Sequence, residues 1–235
     1  MKKGDLKRNQ ILDASEKLFF ERGYDRTSVQ DVLNELGISK GGFYHYFDAK
    51  ESVLRELCER HWTERFEKAR LELFGSRRSP MDRLNALLSL ANLFEQEDVH
   101  FAALMVKVCY RDGDCAIREY RRQTLIELLR PALDDVVTEG VQSGALYTRQ
   151  PTQAGLMVLL LACDVNDEVC GMFAREPDNP DRMLRMIELL NAYRESVELL
   201  VGAPYGSVAL FDAGKMVSAW QAATEELNRL EENEV

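Results

Sequence analysis

The sequence predicts an all-α protein: an N-terminal three-helix domain of the helix-turn-helix type, followed by a larger helical domain. Three observations carry this. Apolar residues recur at helical spacing along nearly the whole chain, no stretch alternates with the two-residue period of a strand, and glycines and prolines fall where helices should end or begin. The chain has 235 residues, 46% of them hydrophobic and 30% charged, which suits a globular protein with one large or two modest cores. A boundary is expected near residue 50, giving domains of residues 1–50 and 51–235.

Each element has a local reason. Ile11, Ala14, Ser15, Leu18 and Phe19 fall at i, i+3, i+4, i+7 and i+8, one face of an amphipathic helix that Gly23 stops. Thr27-Ser28-Val29-Gln30 has the form of a capping box and opens a short helix carrying Val32, Leu33 and Leu36. Gly37 ends that helix, and Ser39 caps a still shorter one that runs to Phe47. Asp48 to Glu51 starts a long helix with Val53, Leu54, Leu57, Cys58 and Trp62, reaching Gly75. Ser79-Pro80 begins the next, since proline suits a first helical turn. Phe101 to Val108 is almost wholly apolar. Asp114 to Val141 forms a long helix that Pro131, lacking an N–H and crowding the preceding turn, is expected to kink or break. Pro151 to Phe173 is apolar nearly all round, Asp181 to Val201 follows, "GAPYG" interrupts, and Ser207 to Glu232 is the last amphipathic helix.

Two short helices joined by the Gly37 turn make a helix-turn-helix, whose second helix enters the DNA major groove by its N-terminal end. This placement explains an otherwise costly feature. Gly41 and Gly42 stand together in "KGGFYHYF", although each glycine inside a helix costs about 0.8–1.0 kcal/mol against alanine. A residue without Cβ lets the backbone come close to phosphates or base edges. Phe43 and Phe47, at i and i+4, are expected to pin the short helix to the core. Tyr44 and His45 then point elsewhere, and the Tyr44 hydroxyl suits a phosphate oxygen. The formal net charge of −10 does not oppose this. Residues 1–50 carry nine Lys or Arg against eight Asp or Glu, so the acidity belongs to the remainder.

"ILDASEKLFFERGY" and "TSVQDVLNELGISKGGFYHYFDAKESVL" together resemble the N-terminal domain of the TetR/AcrR family of bacterial transcriptional regulators, over residues 8–58. The helix before Gly23, Thr27-Ser28, the Gly37 turn, "KGGFYHYF" and Lys50-Glu51 all occur in register. The resemblance implies DNA contacts from Thr27, Ser28, Ser39, Lys40, Gly41, Tyr44 and Tyr46, with Lys50 on a phosphate; His45, expected to face outward, is added to them. It also implies a helical C-terminal domain that dimerises and often encloses a small-molecule pocket. The expected function is therefore a cytoplasmic homodimeric regulator, a repressor bound to a palindromic double-stranded operator and released by a small-molecule effector. The alternative is the same fold controlled by a protein partner.

The C-terminal part supports a physical reading of its own. A helix that is apolar all round needs cover on more than one side. For the segment from Leu156 to Ala162, the simplest second cover is another copy of the chain. Leu156 and Leu160, with Met186 and Leu190 of the following helix, are the expected interface. Trp62, Phe66, Phe101, Met105, Met172 and Phe173 supply aromatic and flexible apolar surface of the kind that lines ligand sites. Asp164, Asp167 and Glu168 end the apolar helix, where they read first as a solvated acidic rim; the aromatic and Met surface, with few Lys or Arg in the apolar helices, makes the expected ligand apolar or cationic. The five cysteines form no C-x-x-C pair, and with no apolar leader are expected to be reduced thiols. His45, His61 and His100 are far apart in sequence, no apolar run approaches the ~20 residues that span a bilayer, and no hydrolase, phosphate-loop or zinc-protease motif is present. No metal, cofactor, membrane or catalytic role is expected.

Overall fold

The computed structural model describes residues 3–74, 78–91, 99–111, 114–176, 179, 181–210 and 213–232, which form helices, turns and no strand. The chain divides into two compact units. One comprises residues 1–61, 98–121 and 221–235; the other comprises 62–97 and 122–220.

The first unit begins with α1 (Lys3–Arg22), which buries Ile11, Leu12, Leu18 and Phe19 and packs on α2 (Val29–Leu36). The cap of α2 lies one position later than the sequence pattern suggests. Ser28 is the N-cap, its hydroxyl accepting the Asp31 N–H while the Asp31 carboxylate accepts the Ser28 N–H. Thr27 is inside instead. Its hydroxyl lies 2.8 Å from the Gly23 carbonyl and 3.2 Å from that of Leu18, where it sews the α1 end to the turn. Gly37 closes α2 with φ 60°, a left-handed conformation that side chains with a Cβ resist. The third helix, α3 (Lys40–Tyr44), is shorter than expected, but Phe43 and Phe47 are both buried and their rings lie 5.9 Å apart. The first half of α4 (Lys50–Phe74) buries Val53, Leu54, Leu57 and Cys58. The apolar segment becomes α6 (Val99–Val106) and continues as a π-helical turn over Lys107–Arg111. The end of α10 (Ala213–Glu232) adds Ala223, Leu227 and Leu230.

The second unit takes the remainder of α4, with Trp62 and Phe66 buried, and α5 (Pro80–Ala91), which Ser79 and Asp82 cap reciprocally. Its longest helix, α7 (Cys115–Gln142), runs through Pro131 unbroken. Pro131 lies on the exposed side, while Leu129, Ala132, Leu133 and Val136 are buried around it. One missing backbone bond in a helix so anchored does not end it. Among the described residues α8 (Pro151–Arg175) pairs extensively with α9 (Arg182–Val201), and the Tyr193 hydroxyl donates to the Val158 carbonyl at 3.3 Å. Gly202 ends α9 with φ 62°, and a Cβ there would come within 2.1 Å of the Tyr147 carbonyl oxygen. The last helix starts later than Ser207. Asn85 holds residues 207–209 out of helix, donating to the Ser207 carbonyl and accepting the Ala209 N–H, while the Glu198 carboxylate accepts the Val208 N–H.

Candidate nucleic-acid interface and C-terminal cavity

The exposed side of α3 carries most of the residues that the sequence singled out. Ser39, Lys40, Gly41, Tyr44 and His45 are exposed; Tyr46 is half-buried with its ring edge-on to His45, centroids 4.8 Å apart. Ser39 caps α3 by accepting the Gly42 N–H at 3.2 Å, leaving its own proton for an outside acceptor. Tyr44 is 52% exposed although its ring meets Phe43 edge-on.

Gly41 has no internal justification. A Cβ at that position would meet nothing nearer than the Ser39 hydroxyl at 4.0 Å, and one at Gly42 would make only ordinary contacts. The helix tolerates side chains at both places.

Three of the expected contacts have other local duties. The Thr27 side chain is fully buried, so no DNA contact is assigned to it. Ser28 is exposed, but its hydroxyl both caps α2 and faces the Asp31 carboxylate, holding that carboxyl below its ordinary range. Lys50 is half-buried: Nζ donates to the Tyr24 carbonyl at 2.7 Å and sits 4.1 Å from the centre of the Tyr24 ring. Burial pushes its ammonium below the usual lysine range, against the pull of Asp25 and Glu51.

In the second unit a cavity of about 30 Å³ opens between α5, α8, α9 and the segment that follows α9. Its walls are mainly aliphatic, with Leu88, Ala162, Val169 and Leu210 among them, plus Asn166 and Tyr193. Both polar groups are satisfied within the chain: Asn166 donates to the Ala91 carbonyl at 3.2 Å and Tyr193 to that of Val158. None of the six residues expected to line a pocket belongs to it. Trp62, Phe66, Met172 and Phe173 are core residues of this unit, and Phe101 and Met105 belong to the other. Met186 and Leu190, expected at a dimer interface, instead line the cavity, 0% and 8% exposed. Leu156 and Leu160 are half-buried, while Met157 of α8 and Leu184 of α9 are 43% and 58% exposed. Asp164 is paired with Arg122 and does not reach the cavity. No group of three or more His, Cys, Asp or Glu side chains among the described residues is arranged to hold a metal ion, and no described helix is long and apolar enough to cross a membrane.

Residues 11–57 match the family model for bacterial regulatory proteins of the tetR family. The HTH-type transcriptional repressor KstR2 of Mycobacterium tuberculosis is 28% identical over 142 residues, 59% of this chain and 68% of that protein. The fatty acid metabolism regulator protein of Bacillus subtilis is 26% identical over 146 residues, 62% of this chain and 74% of its own length. Among solved structures, the Bacillus subtilis regulator FadR in complex with stearoyl-CoA superposes with a TM-score of 0.54 at 20% identity, covering 84% of this chain and 99% of that one. At that identity the likeness concerns the fold alone. The capped α2, the Gly37 turn and the short glycine-led α3 agree with that match: residues 11–57 are the N-terminal domain of the tetR family of bacterial regulatory proteins.

Proposed function

We propose that the protein is a homodimeric transcriptional repressor that binds a palindromic operator through α3 and releases it when an apolar small molecule enters the cavity of the second unit. The observation that carries the DNA half is the unexplained glycine pair. Gly41 and Gly42 lie on the outer face of α3, flanked by Ser39, Lys40 and Tyr44, and nothing inside the chain excludes a side chain at either. An outside surface that must come close does. Base and phosphate contacts are assigned to Ser39, Lys40, Gly41, Tyr44, His45 and Tyr46. Ser28 and Lys50 hold the domain together and present their remaining capacity to phosphates.

For the effector, the supporting observation is the aliphatic lining. No charged side chain lines the cavity, which favours a neutral or acyl ligand over the cationic one also expected from the sequence. KstR2 is named a transcriptional repressor, the Bacillus subtilis relative a fatty acid metabolism regulator, and the FadR structure holds stearoyl-CoA. The partly exposed apolar surface of Leu156, Met157, Leu160, Leu161 and Leu184 supplies the face for a second copy. A hundredfold loss of DNA affinity on ligand binding requires about 2.7 kcal/mol of coupling.

The small cavity also supports control by a protein partner, because about 30 Å³ holds little more than a water molecule. The deciding experiment has two steps. Footprinting on DNA upstream of the protein's own gene identifies the operator. A thermal-shift screen of acyl compounds, neutral lipophiles, hydrophobic cations and organic acids follows, with hits retested for operator release. Neutral or acyl hits that stabilise and release support the proposal. Release only by hydrophobic cations overturns the lining argument, and no hit across a broad library moves control to a protein partner.

A further inference from the structure

Most described Lys and Arg side chains among residues 4–50 are taken up within the chain. Arg8 pairs with Glu56, Lys17 with Glu35 and Arg22 with Asp31; Arg26 is engaged, and Lys50 is taken up by the Tyr24 carbonyl. Arg60 spans Asp13 and Glu16. Among the Lys and Arg side chains described from residue 4 to 50, Lys7 and Lys40 alone have neither an ion pair nor a hydrogen bond. Lys40 opens α3, where the operator contact is already assigned. Lys7 is on α1, far from α3 in sequence, yet it shares a groove with α3's own extension.

That groove has a volume of about 430 Å³ and is lined by Gly4, Leu6, Lys7 and Gln10 of α1 and by Tyr46, two positions beyond the end of α3. A Cβ on Gly4 would lie 3.9 Å from the Tyr46 hydroxyl, so the phenol is at the α1 surface. The Gln10 amide and the Tyr46 hydroxyl, like Lys7, have no hydrogen-bond partner among the described residues. No carboxylate lines the groove; Asp5, nearest in sequence to Lys7, is engaged elsewhere. One cation and two neutral donors, all unused by the fold, therefore meet in a concavity continuous with the recognition helix.

We propose that this groove seats a backbone phosphate of duplex DNA, with Lys7 supplying the charge and Gln10 and Tyr46 the hydrogen bonds. The contact carries no sequence information; it fixes the position of α3 from the α1 side, as phosphate contacts do. It rests on the DNA-binding reading above and adds α1 to the interface.

The test uses the full chain and a random-sequence duplex three helical turns long, titrated by fluorescence anisotropy at graded potassium chloride. Wild-type protein is expected to bind with a salt-dependent affinity. Lys7→Ala should lower the log–log salt slope by about 0.9 per bound protomer, Lys7→Arg should restore it, and Tyr46→Phe should weaken binding severalfold at unchanged slope. If Lys7→Ala folds poorly by circular dichroism, Lys7→Gln takes its place with the same expected slope. A folded Lys7 variant with the wild-type slope overturns the phosphate seat and leaves the α3 contacts standing. A wild-type chain that binds no duplex at low salt overturns the underlying DNA-binding reading before any variant is made.

Discussion

Gly41→Ala separates what the fold wants from what the function wants. The added methyl would meet only the Ser39 hydroxyl at 4.0 Å, so it neither clashes nor opens a void. Replacing glycine by alanine within a helix then gains about 0.5–1 kcal/mol, which in a chain of this size raises Tm by roughly 1–4 °C. Binding should move the other way. A methyl on the outer face of α3 holds the backbone off the DNA and forfeits a contact worth about 1–3 kcal/mol, a five- to hundredfold loss of operator affinity. Gly41→Leu should abolish specific binding while remaining at least as stable as the wild type. The assay is a pair of measurements on each variant: a thermal melt, and a titration against the footprinted operator. A variant that is more stable and still binds with wild-type affinity refutes the close-approach argument. One that is less stable means α3 has an internal need for glycine that its geometry does not reveal.

Three further substitutions test other parts of the structure. Leu160→Glu, on the half-exposed side of α8, should give a folded monomer by analytical ultracentrifugation, whereas Leu159→Glu, 2% exposed, should fail to fold; a folded dimer from Leu160→Glu removes that face from the interface. Ser28→Ala should cost about 1 kcal/mol by removing the α2 cap, and it should flatten the acid side of the pH–stability curve. Asp31 has a depressed folded-state pKa, so its contribution is present above its unfolded value of 3.8 and is lost as pH falls through the folded one; a curve unchanged in acid would mean Ser28 is not the cause. Lys50→Ala should lower stability by about 1–2 kcal/mol through the lost bond to the Tyr24 carbonyl, and should lower the salt slope of DNA binding by about one per protomer. Unchanged melting would show that the Tyr24 contact is incidental.

Local chemistry made much of the fold legible. Gly37 needs a left-handed backbone, Ser39 needs only its neighbour's N–H, and Phe43 and Phe47 follow from one helical turn; each is decided within five residues. Errors arose where two local solutions compete or where distant segments decide. Thr27 and Ser28 are both good caps, and burial against α1 resolved the choice. Pro131 is tolerated because buried residues on both sides of it hold α7. Asn85 bonds to the extended segment at Ser207 and Ala209 from more than a hundred residues away. Residues 98–121 and 221–235 cluster with the first 61, and no periodicity announces such contacts. The cavity was illegible for the same reason. Its walls are ordinary aliphatic residues from four segments, whereas the aromatic and methionine side chains that attracted notice simply fill cores.

The size of that cavity bears on how a ligand would act. At about 24 cal/mol per Å³, a void of 30 Å³ costs only about 0.7 kcal/mol, so the unliganded packing is close to complete. A drug-sized molecule needs roughly 300 Å³ or more, well above the present volume. A ligand of that size would have to widen the cavity, and the free energy of doing so comes out of the ligand's burial. A ligand whose binding requires a different packing necessarily prefers that packing, and differential preference is the condition for coupling to DNA. The α4, α7 and α10 helices each contribute residues to both units. A nearly closed cavity is thus compatible with an effector site. It implies an effector that binds with modest net affinity for the apolar area it buries, because part of that burial is spent on opening the protein.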